Sequence, residues 1–314
     1  MHSTCYLLIL QIAMPELPEV ETIRIQLEKY LVGHRIKDIE IRNAKYAIPE
    51  KKDLIDSKIK GVRRFAKVLS IDLSNGYSIV IHIKLTGQLI YRGPNLSARG
   101  GLTLSPKVVG GLGGKHTHVI FYLDRNGVLY YNDVRRFGWI KVIETEKVTG
   151  TGFIGKLGPE PFASAQGRPG KLTLKLFKEI LSKSRRPIKI LLMDQAKIGG
   201  VGNIYANDAL WLAGINPKKE SKKLGNEEIK KSYDAIHKVL KEGLKFGGAS
   251  ELAFVTPDGS EGEYQKHTLV YGHHGEPCSR CDKQSLSKKI LQKSIIQKFF
   301  LSGRGTYFCP VCQK

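Results

Sequence analysis

Met14-Pro15-Glu16-Leu17-Pro18-Glu19-Val20-Glu21-Thr22 opens the first periodic segment of the chain. From Pro18 to Val32 the apolar residues Val20, Ile23, Leu27 and Leu31 recur at helical spacing. Glu19 and Glu21 stand at the start and Gly33 follows the end, a pattern that predicts an amphipathic helix. Two readings of its beginning stay open. In one, the prolines and acids are a helix cap that answers the helix dipole. In the other, a chain cut after Met14 starts with a proline secondary amine beside a carboxylate. An α-amino group titrates near ~8 and a lysine near ~10.4, so far more of the terminal amine is free base at neutral pH. Amines that add to sugar or carbonyl carbons form Schiff bases. Thirteen residues precede Met14, and with them attached the Pro15 nitrogen is an amide.

Outward from this helix, Val68 to Leu73 and Tyr77 to Ile83 flank Asn75-Gly76, and His118 to Leu123 and Val128 to Tyr131 flank a turn at Asn126-Gly127. Both read as β-hairpins. Strands spaced from about Ile36 to Ile143 predict an antiparallel sandwich or barrel packed on the first helix, with a mobile Gly-rich loop at 97–115. The Gly/Pro-rich stretch 148–171 reads as a linker. Beyond it Leu172–Ser182, Ile188–Gln195, Ile204–Ala213 and Asn226–Leu244 read as helices, the last with Asn226 as N-cap. The expected class is α+β and multidomain: a β-sandwich over 14–147, the linker, a helical domain over 172–272 and a finger over 273–314.

A length of 314 residues suits two domains and an appendage. The surplus of 51 Lys and Arg over 29 Asp and Glu, a net +22, points to a polyanionic partner, nucleic acid first. A solvated basic surface is the other reading. In residues 1–13 the apolar run Cys5 to Ile12 lacks a basic leader and is too short to span a bilayer. We expect no membrane partner, a cytoplasmic chain, and a start site assigned too early, with Met14 the initiator.

Four of the five cysteines fall as Cys278-x2-Cys281 and Cys309-x2-Cys312, a pattern suited to one tetrahedral Zn²⁺. Disulfides are the rival, disfavoured in a cytoplasmic protein. The spacer from Asp282 to Phe308 holds 27 residues, an excess that a loop absorbs at little cost. From His273 to Lys314 eight Lys or Arg face two acids, a net +6. Gly199-Gly200-Val201-Gly202-Asn203 leads into a helix that Asn203 is expected to cap, and free amides at such an end attract phosphate. Ala206, Leu210 and Ala213 beyond it share one face that reads as core.

PELPEVET at 15–22, RRFAK at 63–67, DVRRFG at 133–138, GGVGNIYA at 199–206 and GRGTYFCPVCQK at 303–314 together resemble the formamidopyrimidine-DNA glycosylase family, over nearly all of 14–314. The resemblance implies a β-sandwich, a helix-two-turn-helix domain and a zinc finger that excise oxidised purines, 8-oxoguanine and formamidopyrimidines, from double-stranded DNA and nick the strand. Pro15 is the implied attacker of C1′, Glu16 its general acid or base, and Lys67 contacts the lesion and assists cleavage. Leu85, Arg135 and Phe137 would fill the gap left by a flipped base. His82, His116, Arg185, Asn203 and Arg304 would contact phosphate, with Arg304 also serving the second elimination. The lesion-capping loop would lie near 251–265. The same resemblance implies a monomeric, nucleoid-associated prokaryotic protein.

Against it stand three rivals: an endonuclease VIII-like enzyme for oxidised pyrimidines, a catalytically silent damaged-DNA binder if residues 1–13 are retained, and a zinc-bearing RNA-binding protein, which explains the charge but not the Pro-Glu start.

Overall fold

The computed structural model describes residues 14–94, 96, 104–109, 111–162, 170–282 and 294–314. The 1–13 extension, parts of the Gly-rich stretch and of the linker, and the middle of the spacer between cysteine pairs fall outside the described residues. The first helix, α1 (Leu17–Leu31), turns Val20, Ile23, Leu27 and Leu31 into the sandwich core, while Leu17 packs into the helical domain. Eight strands then follow in sequence: β1 (Ile36–Ile41), β2 (Ile59–Phe65), β3 (Val68–Leu73), β4 (Tyr77–His82), β5 (Gly87–Arg92), β6 (Thr117–Leu123), β7 (Val128–Asp133) and β8 (Trp139–Glu144). A short α2 (Lys51–Leu54) lies between β1 and β2. They form two antiparallel four-stranded sheets, ordered β1-β6-β7-β5 and β2-β3-β4-β8. Their inward rows, such as Ile71, Ile79 and Ile81 from one sheet and Leu89, Val119 and Phe121 from the other, meet in one core.

The expected hairpins are present, with one difference. The β6–β7 turn centres on Arg125 and Asn126, both at positive φ, one residue earlier than the Asn-Gly pair suggests. Gly127 is needed instead for space, because a Cβ there would sit 3.3 Å from His34, Leu123 and Tyr91.

The helical half contains α3 (Leu174–Ser182), α4 (Ile188–Leu192), α5 (Asn203–Ala213) and α6 (Asn226–Lys245), around a core that includes Phe177, Leu192, Leu210, Ile236 and Leu240. Two caps differ from expectation. Gly202 and Gly225 occupy the N-cap positions of α5 and α6, so Asn203 and Asn226 are first helical residues. At α6 the Glu228 carboxylate bonds back to the Gly225 N–H at 3.0 Å, so the cap needs no asparagine side chain. The chain ends in a hairpin, β9 (Gln297–Leu301) and β10 (Arg304–Phe308), whose two turn residues, Ser302 and Gly303, both have positive φ. No helix among the described residues is long and apolar enough to cross a membrane.

Arg64 joins these parts. Its guanidinium is buried, donates to Glu21 of α1 at 2.7 Å, to the Ala66 carbonyl at 2.9 Å and to the Phe162 carbonyl at 2.9 Å, and pairs with buried Glu160. Removing one side of a buried pair strands the other charge. Arg64→Met is therefore expected to destabilise the protein by about 3–5 kcal/mol, read as a lower urea midpoint; a change below about 1 kcal/mol would show that the network contributes no net stability.

Candidate active site

Glu16 lies immediately before α1, and its side chain crosses to the other domain. Oε1 accepts the Ile204 N–H at 2.8 Å in the first turn of α5. A carboxylate of the chain itself thus fills the helix end where the hinge amides were expected to meet phosphate. The fit needs glycine: a Cβ at Gly202 would stand 2.3 Å from Glu16 Cδ, and one at Gly200 would stand 2.6 Å from Leu17 Cδ1. Gln195 braces this hinge, accepting Gly200 N–H at 2.9 Å and donating to the Val201 carbonyl at 2.7 Å.

The main chain of Glu16 is held as firmly. Its N–H donates to Glu19 Oε2 at 2.8 Å, and Glu19 Oε1 accepts from the Tyr205 hydroxyl and the Ala249 N–H, each at 2.7 Å. The capping geometry of the opening motif is therefore real, and it fixes the acid beside Pro15. Glu16 Oε2, by contrast, has no hydrogen-bond partner among the described residues although it is buried. Burial pushes the carboxyl up to about 7, with Lys67 opposing and Glu19 reinforcing the shift. A group poised there both gives and takes a proton near neutrality.

A cavity of about 200 Å³ opens at this carboxyl, lined by Met14, Glu16, Lys67, His82, Lys84, Phe153, Met193, Gln195, Gly202, Asn203 and Arg304. Lys67 enters from the two-residue turn between β2 and β3, where Ala66 takes φ +51. Burial lowers the Lys67 ammonium below its ordinary value, against the pull of Glu16 and Glu19. Arg304 arrives on the first residue of β10. Buried Lys189 docks that hairpin, donating to the Gly305 carbonyl at 2.8 Å and Thr306 Oγ1 at 2.7 Å, and burial pushes its own ammonium down to about 7. Asn207 of α5 adds a bond to the Tyr307 N–H at 2.9 Å.

The hairpin's other anchor is a cysteine cluster. The four Sγ atoms of Cys278, Cys281, Cys309 and Cys312 lie within 4.8 Å of one another, with the closer pairs at 3.6 and 3.8 Å. Metal–sulfur bonds of ~2.3 Å in a tetrahedron place sulfurs about 3.8 Å apart. The four cysteines can hold one metal ion.

A model of the formamidopyrimidine-DNA glycosylase N-terminal domain matches residues 14–140, and a model of that enzyme's H2TH domain matches residues 157–254. The chain belongs to the formamidopyrimidine-DNA glycosylase family. The glycosylase of Pelotomaculum thermopropionicum is 37% identical over 307 residues, spanning 96% of this chain and 99% of that one. The Lactococcus lactis subsp. cremoris glycosylase is 36% identical over 96% of this chain and 100% of its own. Among solved structures, Lactococcus lactis Fpg bound to abasic-site DNA superposes with a TM-score of 0.77 at 35% identity, covering 95% and 99% of the two chains. The same enzyme bound to N7-benzyl-Fapy-dG DNA gives 0.78 at 34% identity, covering 96% and 100%.

The other residues singled out by resemblance to the glycosylase family lie apart from the cavity. Arg135 and Phe137 are exposed on the loop after β7, the guanidinium 4.7 Å from the ring centroid. Leu85, on the turn between β4 and β5, is only 7% exposed. Asp133 ties the two tips together. Its carboxylate accepts from Thr86 Oγ1 at 2.5 Å and from the Arg136 and Gly138 N–H groups at 3.0 and 2.8 Å, and Thr86 Oγ1 accepts the Arg135 N–H at 3.0 Å. His116 is half-buried just before β6, and Arg185 lines a separate cavity of about 490 Å³ beside α3 and α4. The segment around 251–265 is anchored to the sandwich: Gln88 donates to the Ala253 carbonyl at 2.6 Å and Tyr91 N–H to the Pro257 carbonyl at 2.7 Å.

Sequence patterns missed Lys84, Phe153, Lys189, Gln195 and Asp133. A buried lysine in an apolar helical stretch such as Ile188-Lys189-Ile190 was the one available signal.

Because the folded Glu16 carboxyl titrates at about 7 against an ordinary 4.5, its stabilising protonation is fully present below about pH 4.5 and lost as the pH rises through 7. Glu16→Gln keeps an acceptor for Ile204 and does not titrate. The variant should gain in Tm relative to the parent between pH 5 and pH 8, whereas a constant difference across that range would show that this carboxyl does not titrate there.

Proposed function

We propose that this chain removes oxidised purines from duplex DNA and then cleaves the strand, with a free Pro15 nitrogen as nucleophile. The observation that carries this reading is the Glu16 carboxyl, pinned through Oε1, unpaired at Oε2 among the described residues and pushed up to about 7 in a cavity that also contains Lys67 and Arg304. The nitrogen lone pair forms a bond to C1′ of the flipped nucleotide as the glycosidic bond breaks; the base departs with the electron pair of that broken bond and takes up the proton that the proline nitrogen gives up. Opening of the sugar ring passes a proton from Glu16 to the ring oxygen and leaves an iminium on the proline. Lys67 then assists β-elimination and Arg304 the second, δ-elimination. Arg135, Phe137 and Leu85 fill the vacated stack, and Asn203, His82, His116 and Arg185 contact the backbone. The paired tips held by Asp133 suit a single insertion step.

This chemistry requires an amine, so we infer that the active form begins at Pro15 and that residues 1–13 are not part of it. Two facts support this: the N-terminal family model starts at residue 14, and relatives matched over 99–100% of their length cover 96% of this chain. A chain that keeps residues 1–13 would be a lesion reader that cannot cut. The second reading, action on oxidised pyrimidines, draws on the solved complex of Lactococcus lactis Fpg with oxidised-pyrimidine DNA, at a TM-score of 0.77 and 35% identity. The opening PELPEVE favours purines as the main substrates. We also read the enzyme as a monomer acting on the nucleoid.

The four cysteines would hold one Zn²⁺, whose role is to fix the base of the hairpin bearing Arg304. Metal analysis of purified protein should give about one Zn per chain, and Cys309→Ser should lose both metal and strand cleavage; a metal-free, folded and active sample would refute the assignment. Borohydride reduction with an 8-oxoguanine duplex should trap a covalent adduct from a chain shown by mass spectrometry to begin at Pro15, and none from one that retains residues 1–13. Absence of an adduct from the Pro15 chain overturns the proposal.

A further inference from the structure

The cavity holds a second lysine that no motif assigns. Lys84 lies in the turn between β4 and β5 at φ +50, a left-handed conformation that long L side chains rarely adopt and glycine takes freely. Its ammonium sits 5.5 Å from the centroid of the Phe153 ring and lines the cavity with Glu16, Lys67 and Arg304. Among the described residues it forms no ion pair, and burial alone acts on its charge. Partial burial holds the group below its ordinary value, so the turn delivers an uncompensated cation to a half-dry wall.

Its neighbour cannot supply that charge. His82 is buried between Trp139 and Phe153, ring centroids 5.7 and 5.5 Å away. Burial, with Lys84 and Lys67 nearby, pushes its imidazole down to about 3, so it is neutral in the working range. Nδ1 accepts the Lys84 N–H at 3.1 Å, which leaves the ring proton on Nε2. His82 offers one neutral donor and no charge.

We propose that Lys84 is the phosphate-binding cation on this wall of the cavity, making the ionic contact with the DNA backbone that neutral His82 cannot make. The inference rests on the reading that damaged duplex binds here. The Phe153 ring faces the ammonium, and the strained turn is retained because it aims that group into the cavity.

Binding of a duplex carrying a tetrahydrofuran abasic analogue, measured across salt concentrations, tests this with the chain beginning at Pro15 and with Lys84→Gln, Lys84→Gly and Lys84→Arg. Loss of one phosphate contact should lower the slope of log K against log salt by about 0.9 and weaken low-salt binding about tenfold in the Gln and Gly variants. Lys84→Arg should keep the slope. Lys84→Gly also relieves the turn, so its Tm should equal or exceed the parent's, which separates lost charge from lost folding. An unchanged slope in the Gln and Gly variants overturns the role of Lys84 while leaving the glycosylase reading intact; a parent chain that binds no duplex overturns both.

Discussion

A carboxylate taken out of water and set against a helix end governs this molecule. Glu16 belongs to the sandwich half by sequence and to the helical half by hydrogen bonding, through its contact with Ile204. Leu17, the next residue, is buried in the helical core while the rest of α1 is buried in the sandwich. The junction of the two domains therefore runs through the first turn of α1, and any shift of α5 moves the acid. The backbone on the helical side is built for close approach, with glycines at 200 and 202 where any side chain would collide with Leu17 or Glu16.

Burial then sets the electrostatics. Desolvation disfavours charge, so it raises Glu16, lowers Lys67 and Lys189, and leaves His82 neutral. The site still gathers Lys67, Lys84 and Arg304 around one acid. Such a cavity carries more positive than negative charge, and a phosphate backbone supplies the balance. The cost of bringing cations together in a semi-dry space is met when the polyanion arrives, which couples binding to assembly of the reactive geometry.

Scaffolding at a distance does the aiming. The cysteine cluster is part of the helical core, through Cys278, Cys281 and Cys309, so the hairpin that carries Arg304 is packed on one side and hydrogen-bonded to Lys189 and Asn207 on the other. Asp133 performs a similar task at the opposite edge, where one carboxylate sets two loop tips, each on a connection that passes from one sheet to the other.

Periodicity and spacing alone determined a great deal here. The helix after Pro18, the two hairpins, the change to helical period past residue 171, and the paired cysteines all follow from local rules, because each depends on residues a few positions apart. The resemblance carried by five short motifs extended that to the family, which the matched relatives bear out. Only the tertiary structure decided what the motifs do to one another. No local pattern says that Glu16 rather than Asn203 serves the end of α5, that His82 is neutral, or that Lys84 and Phe153 share a wall with Lys67. These are consequences of burial and of contacts across scores of residues, and a side chain's charge, unlike its helical phase, is set by what the rest of the chain brings beside it.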